Sequence, residues 1–246
     1  LGLRAGILTS FGPDFPVDAL PSDVEVARVF SDRTTIFEHA PSAEGRRLVL
    51  VSRAADIEEG HLPAPWRDVP LVLLCPVANE VDPALAAGFP DGSLGVAPQG
   101  WMRARGAGGA VTPQRWEDAD LVLPHAQCLV VSAEDIAGIE KEALDWFQEV
   151  PLAAVTRGAE GALLFVNGER YHVDPDAARE VDPTGAGDVF ATVLLIEYQR
   201  DGNPWEAAAA AACAAAARVE VQGPDGIPDR AALERRLAAY RRRHGG

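Results

Sequence analysis

Thr184, Gly185, Ala186, Gly187 and Asp188, within VDPTGAGDVFA (181–191), set small residues and a carboxylate at the mouth of an apolar helix. Small residues let neighbouring backbone N–H groups converge on one point, and a helix N-terminus adds partial positive charge. Such a turn is an anion hole suited to a phosphoryl group whose oxygens gather charge during transfer. A carboxylate beside that hole repels a resident phosphate, so its presence asks for a task. Accepting a proton from an attacking hydroxyl is the task that fits. The plainer alternative is an Asp N-cap after a glycine turn. A dinucleotide fingerprint fits worse, because G-x-G-x-x-G needs glycine where Phe190 stands. A P-loop is excluded, since the sole lysine, Lys141, follows Glu140. No HRD or DFG triplet of the protein kinases occurs.

The elements that must position this turn alternate between strand and helix. Residues 3–10, 46–52, 69–77, 93–100 and 119–132 contain strand-like apolar runs, and 69–77 is continuous enough for a central parallel strand. Residues 151–173 read as a strand, a glycine turn and a hairpin closed at Asn167-Gly168. Helices are expected over 82–89 and 133–150, after the small-residue turn as far as Gly202, and through the alanine-rich run behind Asn203-Pro204. Asp229 is placed to cap the last one. Alternating strands and helices imply a mostly parallel sheet covered on both faces. The segment 24–52 breaks the alternation and suggests a β appendage or lid. Gln99 and Arg103 follow a predicted strand, where open α/β sheets gather ligand contacts; Trp101 reads as core.

Composition narrows the classes. A formal charge of -15 disfavours nucleic acid and anionic membranes as partners. No apolar run reaches membrane-span length, so the reading is a soluble, cytoplasmic protein. Cys75, Cys128 and Cys213 form no CxxC pair and read as reduced thiols, and the five histidines lack zinc spacing. Arg241, Arg242 and Arg243 read as the solvated end of a helix.

VDPTGAGDVFA resembles the C-terminal signature of the ribokinase-like, phosphofructokinase-B-type carbohydrate kinases. AVTRGAEGALLF (154–165) resembles that family's nucleotide-binding strand and turn, in matching order and spacing, and PQGWMR (98–103) is similar to a segment of bacterial sugar-kinase homologues. The resemblance implies an α/β fold: a three-layer α/β/α sandwich with a mostly parallel central sheet and a small β lid. It implies Asp188 as catalytic base and Gly185, Ala186 and Gly187 as the anion hole. Thr156, Arg157, Gly158, Gly161 and Thr184 would follow the ATP, and 221–228 would close over its base. Asp182 matches a position that helps bind a monovalent cation, potassium, in some members. Where the family carries Asn-x-x-Glu, this chain has Ser132 and Asp135, and Asp135 would hold a magnesium-bound water. The alternative for this pair is a helix start with Ser132 as N-cap. By their loop position Gln99 and Arg103 would contact the sugar; the alternative for Arg103 is a solvated surface charge.

In that family an opening strand, lid strands and a glycine-rich helix precede the point where this chain begins. The chain therefore reads as one ribokinase-like kinase domain over 1–246 short of that segment, with an exposed apolar edge that a second copy would cover as a homodimer. The expected function is ATP-dependent, Mg²⁺-assisted phosphoryl transfer to a hydroxyl of a sugar, polyol or nucleoside. The competing expectation is a non-catalytic nucleotide- or sugar-binding protein derived from the same fold.

Overall fold

The structure, a computed structural model, describes residues 1–42 and 45–244. Its strands are β1 (Gly6–Phe11), β2 (Glu25–Phe30), β3 (Ile36–Ser42), β4 (Gly45–Ser52), β5 (Leu71–Leu74), β6 (Ser93–Val96), β7 (Arg103–Arg105), β8 (Val111–Pro113), β9 (Ala126–Ser132), β10 (Leu152–Thr156), β11 (Ala162–Val166) and β12 (Glu169–Val173). Its α-helices are α1 (Ala119–Val122), α2 (Glu140–Glu149), α3 (Ala186–Asp201), α4 (Pro204–Val219) and α5 (Arg230–His244). Six strands form the central sheet in the order β12-β11-β10-β9-β6-β5. From β5 to β10 the neighbours are parallel; β11 and β12 run antiparallel as a closing hairpin. Asn167 and Gly168 turn that hairpin with φ of 48° and 81°, as a two-residue loop with two left-handed positions requires.

Successive side chains of a strand point to opposite faces, so a strand apolar throughout needs cover on both. In β10, Ala153 and Val155 join one buried cluster and Leu152 and Ala154 the other; β9 divides Leu129 and Val131 from Cys128 and Val130 in the same way. One face is covered by α1, α2 and short 3-10 turns, with Trp116 stacked on Trp101 and edge-on to Trp146. The other face carries α3, α4 and α5. The alanine run of α4 buries Ala207, Ala208, Ala211 and Ala214 completely, and side chains this small let α3 and α4 approach closely. Asn203 caps α4 by accepting from the Trp205 and Glu206 amides, Gly202 closes α3 in a left-handed conformation, and Asp229 accepts from Ala232 N at the start of α5. The α/β three-layer arrangement is the one expected.

Several local expectations change. The helix foreseen over 133–150 starts only at Glu140, because the chain first turns at Ser132–Asp135 and then takes φ of 85° at Gly138. The segment 24–52 is not one appendage: β2 pairs in parallel with β1, and only β3 and β4 form an antiparallel hairpin, with residues 43 and 44 outside the described residues. The β1–β2 pair is separate from the six-stranded sheet. The α5 terminus is not simply solvated either, since Arg241 pairs with Glu206 and Arg243 with Asp176, whose side chain is almost wholly buried.

The sheet sets the place of the small-residue turn. At the start of β6, Ser93 Oγ donates to Gln199 Oε1 at 2.6 Å, near the C-terminus of α3. Two residues along β6, a Cβ on Gly95 would lie 2.9 Å from Leu195 Cδ2, one turn back along α3. Helix α3 therefore runs antiparallel to β6, and its N-terminus lies beyond the C-terminal ends of the parallel strands, where open α/β sheets bind ligands.

Candidate active site

Gly185 is the N-cap of α3 with φ of 78° and ψ of 4°, a left-handed position that suits glycine. No side chain caps the helix. Ala186 N donates to Pro183 O at 3.2 Å, so within the expected anion hole this amide is already engaged by the turn. The amides of Gly187 and Asp188 belong to the first turn, which has no intrahelical acceptors. Gly187 and Asp188 are exposed, so the turn opens to solvent. Asp188 is exposed by surface area, yet neighbouring atoms are close enough to strip part of its hydration. Loss of hydration there pushes its carboxyl above the usual carboxylate range, while the positive charge of Arg103 pulls it back.

Three other expected residues gather here. Arg103 interacts electrostatically with both Asp188 and Asp135, and burial holds its guanidinium below its ordinary value. Its Nη1 donates to Val77 O at 3.4 Å, and its guanidinium lies 5.6 Å from the Phe37 ring of the β3–β4 hairpin. Gln99 Nε2 donates to Asp135 Oδ1 at 3.1 Å. Asp135 Oδ2 accepts from Ser132 N while Ser132 Oγ accepts from Asp135 N, a reciprocal turn that fixes the carboxylate at the end of β9. The PQGWM stretch is braced from behind: Gly100 N donates to Pro76 O, Trp101 Nε1 to Val81 O and Gln114 Nε2 to Trp101 O.

The nucleotide-side residues behave differently. Thr156 ends β10 in register with Ser132, at the same edge of the sheet. The Arg157 side chain is turned to the hairpin, where Nη2 meets His172 Nδ1 at 3.1 Å and Glu160 O at 3.3 Å. Gly158 has φ of 55° with open space where a side chain would be, whereas Gly161 is pressed on the backbone of Val173–Pro175 and shapes the turn. Thr184 N donates to Asp182 Oδ1 at 3.0 Å.

Four contributors were not expected. Glu80 is buried, and its carboxylate accepts from Val77 N at 3.0 Å and Ala78 N at 2.6 Å, shaping the loop after β5. Cys75, in that loop, senses the charge of Asp188; burial chiefly, then Asp188 and Glu80, pushes its thiol up to about 12, so it is not a nucleophile at neutral pH. Arg53 binds Ala78 O at 2.8 Å and reaches Asn79 O. A cavity of about 280 Å³ under the hairpin is lined by Phe37, Leu50, Arg53, Asn79, Arg103 and Gln114. The fourth is Arg218, buried against Asp182.

Residues 102–228, just over half of the chain and including the small-residue turn, match the pfkB family of carbohydrate kinases. The chain belongs to the pfkB family. Among its relatives, the Escherichia coli fructokinase is 28% identical over 181 residues, covering 62% of this chain and 54% of the relative. The chain thus spans about half the length of that fructokinase. Among solved structures, a pyrophosphate-dependent kinase in the ribokinase family superposes with a TM-score of 0.79 at 19% identity, covering 91% of this chain and 84% of that one. A double mutant of Vibrio cholerae fructokinase, solved with fructose, ADP and potassium ion, gives 0.68 at 19% identity over 95% of this chain and 85% of that one. At such identities the two structures bear on the fold alone, and both agree with the ribokinase-like sandwich. Among the described residues of this pfkB family member, no group of three or more His, Cys, Asp or Glu side chains is placed to hold a metal, and no helix is long and apolar enough to cross a membrane.

Proposed function

We propose that this chain, as one kinase domain, catalyses ATP-dependent phosphoryl transfer to a hydroxyl of a sugar, polyol or nucleoside. One observation carries the reading: Asp188 stands exposed at the uncapped N-terminus of α3, within electrostatic reach of Arg103. A pure binder has no need of that carboxylate beside an anion hole. The acceptor enters the cavity under the β3–β4 hairpin, where Arg103 and the loop after β5 line it, and Gln99, bonded to Asp135, orients it from outside that lining. Asp188 takes the hydroxyl proton as the oxygen bonds to the γ-phosphorus and the bridging P–O bond to ADP breaks. The amides of Gly185, Gly187 and Asp188 hold the charge that gathers on the transferring group.

Asp135 and its Ser132 turn fit magnesium in the sense that one fixed carboxylate suffices for an ion that keeps most of its waters. When bound with the donor phosphates, Mg²⁺ neutralises their charge. Potassium is a different case, because a fixed positive charge, the Arg218 guanidinium, already sits against the Asp182 carboxylate.

The direct test is ADP release from Mg-ATP across a panel of sugars, polyols and nucleosides. Acceptor-dependent release is expected; acceptor binding without ADP would favour the binder. The pH profile is a second check. Asp188 acts as a base only when ionised, so activity falls as pH drops through its pKa. Because partial desolvation raises that pKa, the acid limb of kcat/KM lies above the ordinary aspartate range. Arg103→Met removes the opposing charge and should shift the limb to still higher pH. An unmoved limb would take Arg103 out of the base's electrostatics.

A further inference from the structure

We propose that the Arg218 guanidinium replaces a monovalent cation, making this chain independent of potassium. Arg218 lies in the last turn of α4 and is 5% exposed. Its Nη1 donates to Val221 O at 2.9 Å and Asp182 O at 3.4 Å, and its Nη2 to Asp182 Oδ2 at 3.3 Å. Two carbonyl oxygens and one carboxylate oxygen are the kind of hard ligands a potassium ion takes. Here one fixed positive charge already satisfies them.

Backbone donors take up more of the Asp182 carboxylate. Oδ1 accepts from Thr184 N at 3.0 Å and Oδ2 from Gly223 N at 3.1 Å. These donors, that of Gly223 foremost, hold the carboxyl well below the usual carboxylate range. A second cation would have to displace the guanidinium or sit against it. Arg218 also lies beside the small-residue turn, its Nε 3.8 Å from where a Cβ on Gly185 would be. It therefore ties 181–185 to 218–223, together with the bonds from Val181 N and Asp182 N to Val219 O. Arg218 is a positioning residue: it holds the anion hole in shape without touching the transferring group.

The importance of this for turnover rests on the kinase reading; the test does not. Thermal unfolding is followed in KCl, NaCl and choline chloride at equal ionic strength, for the wild type and for Arg218→Ala. The expected wild-type midpoints agree within about 1 °C, a shift well under 1 kcal/mol for a protein of this size. In the alanine variant the emptied oxygens accept potassium, and KCl should raise the midpoint over choline chloride by several degrees. A potassium-specific rise in the wild type, or an identical response of both proteins to all three salts, would overturn the assignment. Should Arg218→Ala fail to fold, thallium(I) binding to the wild type, followed by ²⁰⁵Tl NMR, decides instead. No bound thallium supports the proposal, and thallium that potassium displaces refutes it. If no acceptor is ever phosphorylated but the salt responses are as expected, the kinase reading falls and the role of Arg218 stands.

Discussion

Asp188→Asn should lower kcat by roughly 10²–10⁴-fold, the range for loss of a general base. Asparagine keeps the volume and can still orient a hydroxyl, but it cannot accept its proton. Folding should survive, because Asp188 is exposed and an amide of the same shape removes a charge there without leaving a buried group unpaired. KM should change little, since the carboxylate stands beside the anion hole and contributes mainly as the hydroxyl loses its proton. Steady-state kinetics of the two proteins, with circular dichroism to confirm folding, give the comparison. A folded Asp188→Asn protein with full kcat would remove Asp188 as the base.

The second large effect is on stability. Gly161 has φ of 82° and ψ of -135°, a region essentially closed to other residues. A Cβ there would meet Val173 O at 2.2 Å, Pro175 N at 2.9 Å and Asp174 C at 3.1 Å, all backbone atoms that cannot swing away. Gly161→Ala should therefore cost about 2–4 kcal/mol, strain and clash together. Gly158→Ala is the control: its φ of 55° is left-handed too, but nothing lies within 4 Å of the new methyl. Its cost should be about 1–2 kcal/mol. Urea unfolding would rank the two, and equal midpoints would contradict the packing of the turn onto β12. Gly161 also accepts from Arg157 N and donates to Gly158 O, so its loss disturbs the whole turn after β10.

Local signals explain what the chain revealed in advance. The apolar runs of β9 and β10, the Asn167-Gly168 turn, and the caps at Gly202, Asn203 and Asp229 each depend on neighbours within a few residues, so they are readable in one dimension. The small-residue turn and Asp188 were readable for the same reason. Strand partnership was not: Glu25–Phe30 has the same period-two pattern whether it joins a hairpin or, as found, lies parallel to β1. The late start of α2 depends on Ser132 and Asp135 bonding to each other's amides, which outcompetes a helical turn that propensity alone would allow. Arg218 was hidden most completely. In sequence it is a polar residue ending an alanine helix, and its partner Asp182 stands 36 residues earlier. Glu80 reads as one acid among many until the fold buries it under the Val77 and Ala78 amides. The cavity under the hairpin joins β3–β4, the β5 loop and β7–β8, which no local pattern connects.

Phosphorus-31 NMR of the wild-type chain with Mg-ATP and each candidate acceptor tests the central claim most directly. A phosphomonoester resonance growing at the same rate as ADP, and only when an acceptor is present, is the expected result. Nucleotide and acceptor that both bind by calorimetry while the ATP resonances stay intact would mean that the TGAGD turn holds ligands without moving a phosphoryl group.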